Sequence, residues 1–183
     1  MTSANKAGAR IALIAAALAA ALVAATPALA HKDDVPNVDA RFSVVAIQDA
    51  PLGEALMRRD ADTAIDQLTA KAARHGARFA EQNNLCVAYI LDKDVDAARS
   101  VCETAVSLGE RRARTADAWE RPRLKRDYAV ALTNRGVLRA LTGELTEAAQ
   151  DFEVAKRMNR SLKEPRDNLA RLAERAPAVV AAR

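Results

Sequence analysis

The sequence predicts an all-α protein, and three observations carry that prediction. Beyond Pro51, apolar residues return every three or four positions almost without interruption, the period of helices with one buried face. Only 6 glycines occur in the whole chain, so the helical pattern has few breaks. Aromatic residues make up 3%, so the core must be built from Ala, Leu and Val, whose small volume lets helices approach closely.

The first element is not part of the mature fold. Lys6 and Arg10 precede an apolar run of fifteen residues, Ile11 to Ala25, followed by Thr26, Pro27 and Ala28-Leu29-Ala30. That order is the layout of a secretory signal peptide, residues 1–30, cleaved after Ala30, and it predicts a periplasmic or secreted protein. The run falls short of the roughly 20 residues that cross a bilayer, so no transmembrane span is expected in the mature chain. Cleavage removes Lys6 and Arg10 and no acid, taking the formal charge from +4 to +2. A near-neutral exported chain of 153 residues suits one domain and argues against a nucleic-acid partner.

Residues 31–50 read as an extended or flexible mature N terminus. "HKDDVPN" is charged and carries a proline; "RFSVVAI", Arg41 to Ile47, is β-branched but has no second strand to pair with, so it is expected to be extended. The helical domain spans residues 51–176, with helices expected over 52–58, 61–75, 77–91, 95 to 112 or beyond, 122–141, 145–158 and 164–174. Gly76 and Gly143 end two of them with a backbone that only glycine adopts easily. Asp94 caps the helix that begins at Val95, and Pro165 sits in a first turn where its missing N–H costs nothing. The tail, residues 177–183, is expected to fray.

The helical region repeats itself. Leu85-Cys86 is followed by Tyr89, then by Ala98, Cys102 and Ala105. A second copy gives Gly136, Gly143, Ala148, Phe152 and Ala155, with the last three in the same four-and-three spacing, and a partial third gives Asn168-Leu169-Ala170. Each copy opens on an asparagine, Asn84, Asn134 or Asn168. The pattern resembles the tetratricopeptide repeat over about residues 79–175. The resemblance implies helical hairpins stacked as a short right-handed solenoid of about two and a half repeats, with a concave side that binds a partner. Residues 61–75 would then be the second helix of an earlier, degenerate unit. The chain departs from the family at Arg135 and Arg139, where Leu and an aromatic are usual, and at Glu110 and Arg160, where a closing proline is absent. The copies also lie 50 residues apart, not the family's 34, so sixteen extra residues fall within about 108–126.

Cys86 and Cys102 are the only cysteines and lie about equally far from a turn expected at Asp92 to Asp94. Across an antiparallel helix pair they are neighbours, and in an oxidising compartment neighbouring thiols pair, so a Cys86–Cys102 disulfide is expected.

Few residues suggest chemistry. No nucleophile elbow, phosphate-binding glycine loop or zinc spacing is present, so neither an enzyme nor a cofactor is expected. His31 would head the mature chain, where its amine and ring suit copper, but that site normally needs a second histidine and only His75 exists; the metal reading is the weakest. Residues 109–127 carry seven basic and four acidic residues around Trp119. The segment reads as a lengthened helix hairpin with a solvated face and Trp119 packed inward, in preference to a basic arm anchored by Trp119. The leading expectation is a scaffold or adaptor for a peptide or protein partner. Matching the copies onto the family's concave helices makes Asn83, Asn84, Val87, Thr133, Asn134, Val137, Asn168 and Arg171 the partner-binding candidates. The alternative is a structural, self-assembling protein without a separate ligand, in which a second copy covers an exposed end.

Overall fold

A computed structural model describes residues 42–181 of the chain. The expected signal peptide with its cleavage site after Ala30, His31 and most of the expected mature N terminus lie outside the described residues. Eight helices follow in chain order among those described: α1 (Gly53–Met57), α2 (Ala61–His75), α3 (Phe79–Asp92), α4 (Val95–Thr115), α5 (Arg121–Leu141), α6 (Leu145–Met158), α7 (Glu164–Arg175) and α8 (Pro177–Ala181). Each packs on its successor, from α1 on α2 to α7 on α8, and α1 also reaches α3, α3 reaches α5, α5 reaches α7 and α6 reaches α8. The result is an all-α, sequentially packed arrangement consistent with stacked helical repeats.

The expected punctuation is in place. Gly76 and Gly143 have φ of 73° and 86° at the ends of α2 and α5. The Asp94 carboxylate accepts from the Ala97 N–H at 3.1 Å, satisfying a donor with no intrahelical partner. Lys93, with φ 65°, completes the α3–α4 turn, and Cys86 and Cys102 are joined across it by a disulfide with Cα atoms 4.9 Å apart. Gly136 sets the distance between α5 and α6: a Cβ there would lie 2.6 Å from the Phe152 ring, so only a hydrogen lets the helices close.

Three expectations are corrected. Helix α3 starts at Phe79, not Ala77. Residues 177–181 of the tail expected to fray form α8, whose partly buried Val179 and Val180 pack against the core around Phe152 and Leu172; burying their apolar surface favours the docked helix over a free tail. The sixteen extra residues do lengthen one hairpin, since α4 and α5 each have 21 residues against 14 in α3 and α6. Trp119, however, is not packed inward but 79% exposed at its tip. Ala116 and Leu124, on either side of it in the chain, are the buried apolar residues of this turn.

Candidate functional site: an asparagine ladder on an extended segment

Asparagines deep in a helical core require explanation, because a buried amide has one acceptor and two donors to satisfy without water. Asn83, Asn84, Asn134 and Asn168 are all 0% exposed. Asn83 and Asn84 lie on α3, Asn134 on α5 and Asn168 on α7, so each of three successive helix pairs turns at least one toward the same side. Their partner is the chain itself.

Residues 43–47 run along this side as extended backbone. The Asn168 Oδ1 accepts from the Ser43 N–H at 2.8 Å, and its Nδ2 donates to the Ser43 carbonyl at 3.0 Å. Asn134 grips Val45 in the same two-point manner, at 2.7 and 2.9 Å. Asn84 does so to Ile47, at 2.8 and 3.0 Å, and also reaches the Pro51 carbonyl at 3.2 Å. Every second residue thus presents its N–H and C=O to one amide, as it would to a neighbouring strand. The segment runs from α7 toward α3, against the order of the helices.

Cross-links complete the ladder. Asn83 donates to the Val45 carbonyl at 3.1 Å, and its own carbonyl accepts from Asn134 at 2.9 Å. Val45 O therefore takes two donors, its full lone-pair capacity. Arg171 donates through Nη1 to the Ser43 hydroxyl at 2.8 Å and to Asn168 Oδ1 at 3.3 Å. Among the described residues it is the charged side chain that hydrogen-bonds a side chain of the segment.

Apolar contacts hold the other positions. Phe42 and Val44 pack on the cluster containing Val137, Phe152 and Leu172, with the Phe42 and Phe152 rings stacked at 6.4 Å between centroids. Val44 and Ala46 also border the cluster of Leu68, Val87 and Ala88, while Val45 and Ile47 border that of Phe79, Val130 and Leu162. Of the eight candidates, the structure therefore gathers Asn83, Asn84, Asn134, Asn168 and Arg171 onto the segment by hydrogen bonds, and sets Val87 and Val137 in the clusters it packs on. Thr133 is buried, but its hydroxyl donates back to the Ala129 carbonyl at 2.7 Å. Gly53 closes the C-terminal end of the segment: a Cβ there would lie 2.2 Å from Ile47 O.

Sequence reasoning found the ladder's residues but missed their occupant. The available signal was an apolar, β-branched run with no partner strand in an otherwise helical chain. It also missed the role of Arg135 and Arg139, which looked only like departures from a pattern. Arg135 binds Asp151 through two bonds at 2.7 and 2.9 Å and Glu103 at 2.7 Å, and Arg139 bridges the same two acids. Burial disfavours the Arg135 charge, but the hydrogen bonds and charges of Asp151 and Glu103 outweigh it and hold the guanidinium more firmly protonated than usual. The pair ties α4, α5 and α6 together.

No family model, curated protein or solved structure matches the chain. Its geometry is the guide to its function. Among the described residues, no group of three His, Cys, Asp or Glu is placed to hold a metal, and no helix is long and apolar enough to cross a membrane. A surface cavity of about 420 Å³ between the start of α5 and the α6–α7 turn is lined by Arg121, Lys125 and Arg160 with Pro122, Met158 and Ser161, and no carboxylate or imidazole faces it.

Proposed function

We propose that this chain is an exported, tetratricopeptide-like scaffold of about two and a half right-handed repeats that holds an extended peptide or protein segment along its concave side. The observation that carries the reading is the two-point grip of Asn168, Asn134 and Asn84 on Ser43, Val45 and Ile47. Backbone recognition of this kind is strand addition performed by side chains: it gives affinity for any extended chain, and the flanking apolar clusters supply selectivity. Residues 42–47 act as a resident in cis, which a partner segment replaces. The disulfide supports an oxidising compartment.

The test uses the full mature chain carrying Val45→Pro, whose own segment no longer offers the N–H that Asn134 accepts. A labelled copy of residues 42–47 is expected to bind this chain in trans and to lose binding when Asn134→Ala is added. A folded Val45→Pro chain that ignores the peptide overturns the reading.

A second reading, a structural protein whose groove is permanently filled, is favoured by one observation: the side chains of the segment reach all three apolar clusters. It predicts that no peptide displaces the segment. Self-assembly would appear as a stable dimer by light scattering.

A further inference from the structure

A trans ligand has to outcompete a tethered one. Residues 42–47 are linked to the groove by a short turn, and a tether of that kind acts as a local concentration in the millimolar range. Asn84, Asn134 and Asn168 cannot favour the newcomer, because they read N–H and C=O groups that any extended chain supplies equally. The advantage must come from a side chain that the groove holds less well in cis than it is able to.

Ser43 is that position. Among the described residues the Arg171 guanidinium donates to two neutral acceptors, the Ser43 hydroxyl at 2.8 Å and the Asn168 amide at 3.3 Å. A guanidinium offers five donors in a planar fork that matches a carboxylate, and such charge-assisted bonds are about twice as strong as neutral ones. The other contacts between segment side chains and the groove are apolar.

Resting on the peptide-binding reading above, we infer that the segment entering in trans carries a carboxylate at the place of Ser43, with apolar residues at the places of Val44, Val45 and Ile47. Its N-terminal end lies at α7 and its C-terminal end at α3. Proline is excluded at the places of Ser43, Val45 and Ile47, where each N–H is taken by an asparagine.

Two labelled peptides decide the matter, one Phe-Ser-Val-Val-Ala-Ile and the other with aspartate in second place, each titrated into the full mature Val45→Pro chain. The aspartate peptide is expected to bind about 5-fold to 10-fold more tightly, an advantage that Arg171→Gln removes. Equal binding of the two overturns the carboxylate inference while leaving the peptide-binding reading standing. Binding of neither by a chain with native circular dichroism overturns both. Should Val45→Pro not fold, Ser43→Asp in the otherwise unchanged chain is the second test. It is expected to raise the urea midpoint with Arg171 present and not with Arg171→Gln, and an unchanged midpoint overturns the inference.

Discussion

Asn134 is the residue on which most of the site converges, since its amide serves Val45 twice and Asn83 once. Replacing it with alanine leaves the part-buried Val45 N–H and the buried Asn83 carbonyl without their partner. Unsatisfied buried polar groups cost about 1–3 kcal/mol each, so Asn134→Ala is expected to destabilise the chain by about 3 kcal/mol in urea unfolding. A loss below about 1 kcal/mol would mean that water enters the ladder freely. Gly136→Ala tests packing instead of polarity: its methyl group meets the Phe152 ring, and an overpacked core of this kind loses about 1–3 kcal/mol. Titration acts at the residue scale too. The hydrogen bond from Arg99, more than its charge, holds Glu144 below the usual carboxylate range. The group therefore stabilises the fold above the ordinary glutamate pKa and loses that contribution as pH falls through the lowered value. Asp127 works in the opposite sense, because burial raises its pKa beyond what Arg112 and Arg123 lower it. Glu144→Gln is expected to narrow the drop in melting temperature between pH 7 and pH 3, and an unchanged drop would contradict it.

At the scale of elements, the α3–α4 hairpin is covalently closed. The disulfide spans a sequence separation of 16, and constraining an unfolded loop of that size stabilises by about 3 kcal/mol. Reductant is expected to lower the urea midpoint of the wild type while leaving a Cys86→Ala/Cys102→Ala chain where it was. The same helices explain how far a repeat pattern can be trusted. The Asn84, Asn134 and Asn168 positions were evident from their equivalent places in three copies, and the small residues Ala98, Ala148 and Gly136 from their spacing. The fate of the extra length was half evident: mixed charge implied solvated helix faces, but nothing in the pattern told that Trp119 points outward while Ala116 and Leu124 are buried. Arg135 and Arg139 were the least readable. Alone in sequence they look like polar intrusions on an apolar face, and only the approach of Asp151 and Glu103 from two other helices makes them a bridge.

For the whole molecule, residues 42–47 connect its parts. Ser43 bonds a residue 125 positions away on α7, and Val44 borders two separate clusters. The Ser43, Val45 and Ile47 amides are expected to exchange with deuterium far more slowly than those of an unstructured peptide, because each N–H donates to the side-chain oxygen of a buried asparagine. Exchange at the rate of free peptide would mean an open groove and remove the basis for competition.

The sequence by itself determined the helices up to α7, the caps at Asp94, Gly76 and Gly143, the paired cysteines and the positions of the asparagines, because those follow from short-range periods and from backbone chemistry within a few residues. Tertiary structure alone decided what the asparagines hold. An extended run has no internal hydrogen bonds to announce it, and its partners come from three helices 37 to 125 residues away, so its place is set by the assembled array.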